Sequence, residues 1–480
     1  MTGLGIASVG AYAPRYRLTA DVIEETWGQF HGAGISETAV PAGDEDTLTM
    51  AHEAADRALE AGDVDPATVT HLFLGTTTPP YEEEAITARL ASFLGLCEDL
   101  EARQLTGSTR AGVDVLATGL EVADEGTALV VASDAPRGTP DDEVEHAGGA
   151  GAAALVLTPD GPGAVTDRTE HVTPFPGTRF RPQGAEETTG LGVTGYDRAA
   201  FTETVAAAAD ALEADLSDLE AVCLQSPDGN LPYRVAGALG VDSEAIRAGT
   251  TVHDLGDTGA ASALLGLASA LEDGHDDLAV IGYGSGGGAI ALRVDAGGVA
   301  VEADLEGEET LSYGEYLRMR GDVTPGEPDG GGAYVSVPSW KRTLPQRHRL
   351  VAGRCPTCGT LAFPPEGACT NCGALESFED VDLPGTGTVE AATVIGQGGA
   401  PPEFVEQQAR EGAYVSAIVS LDGPDGEEEG VSTPVQVLVG EDETVEVGDR
   451  LEATIRRIYT QEGVTRYGFK MRPLEETRRI

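Results

Sequence analysis

Positive charge is scarce in this sequence. Lys and Arg together account for 30 of 480 residues, against 81 Asp and Glu, and the formal net charge is −51. The only lysines are Lys341 and Lys470. A protein that binds nucleic acid needs a basic surface to neutralise phosphates. The composition therefore argues against a nucleic-acid partner.

Long apolar runs are missing as well. No stretch approaches the ~20 apolar residues of a membrane-spanning helix, so we expect no membrane span. The first residues, 1–6, have neither a basic segment nor a long apolar segment, so we expect no signal peptide and a cytoplasmic protein. Cysteine is limited to six residues, four of them clustered. That pattern favours a metal site in a reducing compartment over a disulfide framework.

The abundant acidic residues are spread along the chain and not gathered in one tail. A disordered acidic chain would lack apolar periodicity, which this chain keeps. We therefore predict a folded protein with a strongly hydrated acidic surface, as in organisms with high internal salt, where screening reduces self-repulsion. The length predicts two or three domains.

The stretch 106–112, Thr-Gly-Ser-Thr-Arg-Ala-Gly, predicts a tight turn that opens an apolar helix. A helix N-terminus offers free N–H groups and the positive end of a dipole, which stabilise an anionic nucleophile. A catalytic thiol would be expected there in an acyl-transfer enzyme. The chain has Ser108 and Thr109 instead.

The sequence contains an internal repeat. Residues 107–111 align with 256–260, the apolar helices that follow align too, and the strand predicted at 69–75 falls near 219–225. This repeat predicts two similar βα halves packed together. Between them, 161–195 is rich in Pro, Gly and Thr, and we expect a long irregular excursion.

Residues 282–288 are glycine-rich and follow a predicted strand. A dinucleotide-binding loop requires a helix next, but 289–294 has the pattern of a strand. A tight turn between two strands is the better interpretation.

Two matching knuckles contain Cys355, Cys358, Cys369 and Cys372. Two such turns close a tetrahedral four-sulfur site that suits structural zinc, with iron as the alternative. Five short strands predicted between 383 and 473 suggest a small OB-type barrel, for which the acidity argues against oligonucleotide binding.

Several motifs resemble the archaeal type of hydroxymethylglutaryl-CoA synthase. They lie at 10–17, 44–47, 75–81, 227–234 and 282–286. The resemblance implies an α/β fold of the thiolase-like, duplicated, five-layer kind. Residues 346–473 resemble a different family, a zinc ribbon joined to an OB-fold barrel. The expected organisation is a thiolase-like N-terminal half (1–165), a C-terminal half (166–295), a linker (296–345), a zinc ribbon (346–380) and an OB-fold barrel (381–480).

The resemblance also implies where the catalytic groups should be, and this chain departs from the pattern there. Thr109 takes the place of the nucleophilic cysteine in the family's Cys-x-Ala-Gly turn. Thr77 takes the place of the acid/base glutamate, and Gln225 that of the histidine. None of the three can do the same work, because a threonine hydroxyl needs an adjacent base and neither Thr77 nor Gln225 is one.

Other residues could contribute in principle. His253 is the best candidate base to activate Ser108 or Thr109, although a packed loop histidine is the simpler interpretation. Asp254 and Asp257 could hold a cation, but we expect solvated loop acids. Cys97 and Cys223 are expected to be small buried hydrophobes.

The resulting hypothesis is an acyl-CoA-binding relative of the synthase with its Cys, Glu and His positions substituted. It would serve as a non-catalytic scaffold or subunit beside a thiolase in the acetoacetyl-CoA chemistry that feeds the mevalonate route to isoprenoids. Arg179, Arg181 and Arg234 are the candidate CoA-phosphate ligands. The resemblance implies a homodimer. The alternative is an active acyltransferase that uses Ser108 or Thr109 as nucleophile.

Overall fold

The computed structural model describes residues 5–122, 126–323, 335–396, 405–424, 430–440 and 443–474. The chain divides into two compact units, Met1–Ala91 with Gly95–Tyr316, and Ser92–Leu94 with Leu317–Ile480. Within the described ranges, no helix combines the length and apolar character needed to cross a membrane.

The strands and helices are numbered here in chain order. The strands are β1 (Gly5–Tyr12), β2 (Tyr16–Thr19), β3 (Glu37–Val40), β4 (Val69–Gly75), β5 (Glu101–Leu105), β6 (Thr127–Asp134), β7 (Gly151–Thr158), β8 (Ala164–Phe175), β9 (Ala221–Leu224), β10 (Asp277–Gly284), β11 (Gly286–Asp295), β12 (Ala300–Asp304), β13 (Glu309–Thr310), β14 (Val351–Arg354), β15 (Leu361–Ala362), β16 (Glu379–Asp382), β17 (Thr386–Ile395), β18 (Tyr414–Leu421), β19 (Val431–Val437), β20 (Arg450–Gln461) and β21 (Val464–Pro473). The helices are α1 (Ala20–Trp27), α2 (Thr47–Ala61), α3 (Thr87–Leu94), α4 (Ala111–Glu121), α5 (Glu143–Ala147), α6 (Thr194–Asp210), α7 (Leu231–Leu239), α8 (Ser243–Ala248), α9 (Val252–Leu255), α10 (Ser262–Glu272), α11 (Tyr313–Arg320), α12 (Val337–Arg342), α13 (Leu344–Arg349) and α14 (Val405–Glu411).

The first unit contains two large sheets with helices between and outside them. One sheet has the order β12-β1-β7-β6-β4-β5, and the other has the order β8-β11-β10-β9. The apolar helices α4 and α10 lie between the sheets and share one buried core with both. Helix α2 covers the outer face of the first sheet, and α6 to α8 cover the second. The expected five-layer α/β architecture is confirmed.

The two turns of the internal repeat meet in the middle layer. Each turn leads into a central helix, α4 in the first half and α10 in the second. Gly112 lies so close to the second turn that a Cβ atom built on it would sit 1.8 Å from the carbonyl oxygen of Ala260. Only glycine permits this approach, so the repeat brings both turns to one place.

Two expectations about the connections need correction. The segment 161–195 is not irregular throughout, because β8 is the edge strand of the second sheet and pairs antiparallel with β11. The expected linker 296–345 begins with structure that belongs to the first unit, since β12 pairs parallel with β1. Residues 324–334 of that linker lie outside the described residues. The glycine-rich turn at 282–288 does join two antiparallel strands, β10 and β11, as predicted.

The second unit combines a small sheet with a closed barrel. The sheet has the order β15-β14-β16, and the barrel closes through β17-β18-β19-β21-β20. Alternating apolar side chains of the barrel strands, with Val419, Leu451 and Met471 essentially inaccessible, fill its interior. The predicted five-strand barrel is confirmed.

Candidate functional site

Thr109 lies in the turn directly before α4, where a nucleophile would be placed. Its side chain is buried, with 4% of the residue exposed. Its hydroxyl donates a hydrogen bond of 2.7 Å to the backbone carbonyl of Tyr283, at the end of β10. Ser108 is half-buried and lies against Gly284. The proton of Thr109 is therefore directed at a peptide carbonyl, which cannot accept it as a base.

A small cavity opens beside Thr109. Its volume is about 60 Å³, enough for about four waters at the roughly 10–15 Å³ that each requires, or for a short acyl group. It is lined by Thr109, Thr178, Arg179, Asp197, Phe201, Gln225, Pro227, Leu231, Tyr283 and Ser285. Thr109 and Gln225, two of the three positions at which the resemblance implies catalytic groups, thus line one cavity.

One cavity-lining residue, Arg179, belongs to an ion pair. Arg179, in the excursion after β8, pairs with Asp257 in the turn before α10. Asp257 is 2% exposed, so it is not the solvated loop acid expected from the sequence. Burial raises the pKa of Asp257, and the charge of Arg179 opposes that rise. The Gln225 amide nitrogen lies 3.4 Å from Asp257. Gln225, which the resemblance places where the family has a histidine, carries no titratable group.

Four polar atoms of cavity-lining residues are buried without a hydrogen-bond partner among the described residues. They are the hydroxyl of Thr178, the second terminal nitrogen of Arg179, Oδ1 of Asp197 and the amide oxygen of Gln225. Burial raises the pKa of Asp197. Buried polar atoms without partners are costly, so this cavity is built to receive a small polar group or water.

Thr77 does not line this cavity but belongs to a cluster around Asp134. The fully buried Asp134 carboxylate accepts hydrogen bonds from the hydroxyls of Thr76, Thr77 and Thr78, and from the backbone N–H groups of Thr77, Thr78 and Ala260. Asp134 therefore joins the segment after β4 to the turn before α10. The sequence reasoning missed Asp134, although its position at the end of buried strand β6 was a usable signal.

His253 is engaged away from the two candidate nucleophiles. One ring nitrogen lies 2.6 Å from the carbonyl oxygen of Gly34, and the other lies 2.8 Å from the hydroxyl of Tyr233. Both ring nitrogens are therefore occupied. The structure does not bring His253 together with Ser108 or Thr109, and His253 is absent from the cavity lining.

The three arginines proposed for CoA do not converge on one point. Arg179 is committed to Asp257. Arg181 is exposed and donates to the carbonyl of Thr77 and to the hydroxyl of Thr188. Arg234 is exposed on α7.

The remaining singled-out residues divide between core and surface. Cys223 is fully buried on β9, as expected, and burial raises its pKa above the ordinary range. The expectation for Cys97 is wrong, because it is exposed and its thiol donates to the carbonyl of Ala67. Asp254 is exposed, as a solvated loop acid should be.

A second cluster, His31, Asp141 and His146, has the composition of a metal site but not its geometry. Nδ1 of His146 accepts a hydrogen bond of 3.1 Å from the backbone N–H of His31, so Nε2 carries the proton of the neutral ring. The two imidazoles are also stacked at an interplanar angle of 18°. Nearly parallel rings cannot direct their in-plane lone pairs at one ion, so we assign no metal there.

The four clustered cysteines do fit a metal centre. Their Sγ atoms all lie within 4.8 Å of one another, with separations of 3.7 Å for Cys355 and Cys372 and 3.6 Å for Cys358 and Cys369. Tetrahedral Zn–S bonds of about 2.3 Å would place sulfurs about 3.8 Å apart. The set would hold a metal with four thiolates and no open position, which supplies a structural cross-link.

Comparison with known families agrees with this centre. Residues 342–377 match the family described as the ChsH2, rubredoxin-like zinc ribbon domain. The second unit therefore contains a zinc ribbon followed by a barrel.

The remainder of the chain is similar to curated proteins and solved structures of one kind. A hydroxymethylglutaryl-CoA synthase of Pyrobaculum calidifontis is 30% identical over 344 residues, covering 67% of this chain and 98% of that protein. One of Aeropyrum pernix is 32% identical, covering 66% and 94%. The solved structure "MvaS in complex with 3-hydroxy-3-methylglutaryl coenzyme A" has a TM-score of 0.59 at 20% identity, covering 69% of this chain and 95% of that one. The fold is thus thiolase-like, and the chain belongs to the hydroxymethylglutaryl-CoA synthase family.

Proposed function

We propose that this protein binds an acyl-CoA thioester without condensing it through an acylated cysteine. It acts as a scaffold or acyl-CoA-binding subunit beside a thiolase, which supplies its own catalytic cysteine. The observation that carries this proposal is that Thr109, Gln225 and Arg179 line one cavity, and that Arg179 is paired with the buried Asp257. The cavity remains, but the groups for nucleophilic attack and proton transfer do not.

The electrostatics of the cavity support the non-condensing role. Forming an acyl-enzyme at Thr109 would require removal of its hydroxyl proton, which is held by the Tyr283 carbonyl. A base with a well-matched pKa within hydrogen-bond reach is the usual solution. Gln225 cannot titrate, and Asp257 is bound to Arg179. Loss of several members of a catalytic unit removes most of its rate, because the members act together.

Binding of CoA is supported by family membership and by two structural neighbours. Solved structures of similar fold are described as complexes with 3-hydroxy-3-methylglutaryl coenzyme A and with CoA. In this chain Arg181 is the proposed cation for a CoA phosphate, because its side chain is exposed and so can reach a ligand in solvent. The cavity volume of about 60 Å³ admits a short acyl group only.

Zinc is the proposed occupant of the four-cysteine centre, and its contribution is structural. We further propose that the protein is a homodimer. We also propose that it works at high salt, because the acidic surface needs screening.

The test is intact-mass analysis of the zinc-loaded protein in molar potassium chloride after incubation with acetyl-CoA and acetoacetyl-CoA. Free CoA is measured in parallel, and CoA binding is measured by calorimetry. We expect CoA binding, no acyl adduct and no CoA release. An adduct on Ser108 or Thr109 with release of CoA would overturn the proposal in favour of an acyltransferase.

The thiolase partnership needs a separate measurement. A thiolase from the same organism is assayed for acetoacetyl-CoA formation with and without this protein, and the mixture is examined by size-exclusion chromatography. We expect a complex and a changed thiolase rate. Separate elution with an unchanged rate would contradict the partnership while leaving CoA binding intact.

A further inference from the structure

Two arginines flank one tryptophan in the second unit. The central guanidinium carbon of Arg347, on α13, lies 4.5 Å from the ring centroid of Trp340, and that of Arg466, on β21, lies 4.8 Å from it. Trp340 and Arg466 are 8% and 7% exposed, and Arg347 is half-buried. The phenol ring of Tyr459 meets the indole edge-on at 6.3 Å.

These two arginines lack the acidic partners that are so plentiful elsewhere. In the described parts of the chain, neither Arg347 nor Arg466 forms an ion pair, although the sequence has 81 acidic residues for 30 cationic ones. The one hydrogen bond of the Arg347 guanidinium goes to the hydroxyl of Thr343. Nearby helices α12 and α13 add Lys341, Arg342 and Arg349 and contain no acidic residue.

Donor groups at this place are left without acceptors. Nε of Arg466 and the hydroxyl of Tyr459 are buried and have no hydrogen-bond partner among the described residues. Burial lowers the pKa of Arg347, Tyr459 opposes that shift, and the charge of Arg466 adds to it. Stacking on an indole stabilises a guanidinium, but it neither gives its N–H groups an acceptor nor removes the repulsion between the two cations.

We propose that Arg347 and Arg466 bind a phosphate group of a small-molecule ligand, with the hydroxyl of Tyr459 as a third donor. A phosphate dianion balances two guanidinium charges and offers three oxygens to these donors, which a single carboxylate does not. Both guanidinium groups lie on the same indole, and the charge of Arg466 acts on Arg347. A single phosphate can accept a bond from each of two neighbouring guanidinium groups. The phosphate could be free or part of a nucleotide such as CoA.

The fluorescence of Trp340 is used to follow ligand binding. The chain has two tryptophans, so the Trp27→Phe variant reports on Trp340 alone. Inorganic phosphate and CoA are titrated separately at constant potassium concentration and ionic strength, and tryptophan fluorescence is recorded. We expect a saturable change with inorganic phosphate. Saturation by CoA at a lower concentration would assign the phosphate to a nucleotide, and saturation at an equal or higher concentration would assign it to the free anion.

Variants decide whether the arginines are responsible. Arg347→Gln and Arg466→Gln should each raise the half-saturating concentration at least tenfold. Arg342→Gln, which removes an exposed arginine on α12 that bonds only to Ser339, should leave it within twofold. Circular dichroism and metal content check that each variant is folded, and Arg466→Lys replaces Arg466→Gln if the latter fails.

A titration without saturation would overturn the proposal, as would equal half-saturation in the arginine variants and the parent. The arginines would then be structural stacking partners only. This inference does not depend on the proposed function, because Trp340 and both arginines lie in the unit Leu317–Ile480 and the cavity lies in the other unit.

Discussion

The guanidinium of Arg179 and the carboxylate of Asp257 form an ion pair beside Thr109, across 78 residues of sequence. The Asp257 side chain is 3% exposed and that of Arg179 is 15% exposed. Arg179 lines the cavity that Thr109 and Gln225 also line, so the pair ties that cavity wall to the turn before α10.

Removal of Arg179 should destabilise the first unit. Arg179→Gln leaves Asp257 buried without its cation, and breaking a buried pair costs about 3 kcal/mol. Denaturant unfolding measures the loss. The double variant Arg179→Gln/Asp257→Asn should lose much less, because no buried charge remains. Equal losses in the single and double variants would show that the pair contributes little.

The stability lost in the Arg179→Gln variant should depend on pH. Burial raises the pKa of Asp257 and Arg179 opposes the rise, so removing Arg179 raises that pKa further. A raised carboxyl pKa means that the folded state binds the proton more tightly than the unfolded state. The destabilisation of Arg179→Gln should therefore be complete above the folded pKa and shrink as the pH falls towards the ordinary value of Asp. Unfolding measured across pH 4–8 tests this, and a loss that grows on acidification would contradict it.

Asp134→Asn should be strongly destabilising. The Asp134 carboxylate accepts six hydrogen bonds, and an amide group in its place presents N–H groups to other donors. We expect a loss of about 2–4 kcal/mol in the free energy of unfolding. Asp99→Asn, at an exposed position, is the matched control and should change stability by less than about 0.5 kcal/mol. Similar losses in both variants would refute the organising role of Asp134.

Two glycine-to-alanine substitutions should have opposite signs. A Cβ at Gly112 would lie 1.8 Å from the Ala260 carbonyl oxygen, so Gly112→Ala must push the two central turns apart. Gly237, inside α7, has open space around its Cβ position. Gly237→Ala should stabilise by about 0.5–1 kcal/mol through helix propensity, whereas Gly112→Ala should destabilise by about 2 kcal/mol or more. Thermal unfolding separates the two outcomes.

The four-cysteine centre should bind one metal ion per chain. Cys369→Ser removes a buried ligand and should abolish metal binding, as measured by elemental analysis, and lower the unfolding temperature. Cys97→Ser is the control, because Cys97 is exposed and lies apart from the cluster. Retention of a full equivalent of metal by Cys369→Ser would contradict the four-thiolate assignment.

Thr109→Cys should restore part of the chemistry and not the whole. A thiol before α4 gains from the helix N-terminus, which favours the thiolate. We expect slow acylation of the new cysteine by acetyl-CoA, seen by intact mass, without condensation, because Thr77 and Gln225 supply no acid or base. Thr109→Ser should show no adduct. Condensation by Thr109→Cys at a rate typical of enzymes would show that another residue serves as base.

Several features followed from local patterns in the sequence. The cysteine spacing, the five barrel strands and the repeated turn-and-helix units each depend on neighbours within a few residues, so composition and periodicity were sufficient to predict them. The resemblance assigned Thr77, Thr109 and Gln225 to the family's catalytic positions, because motif positions are read directly from the chain.

Other features depended on contacts between distant segments. The sequence suggested that Asp257 would be solvated, and only the folded chain places it in a buried pair with Arg179. His253 lies just before the second turn in sequence, yet its ring bonds to Gly34 and Tyr233. Residues close in sequence can face different surroundings, because side-chain direction is set by the packing of layers. The positions at which the resemblance implies catalytic groups were readable from the sequence, whereas the Arg179–Asp257 ion pair was decided by the tertiary structure.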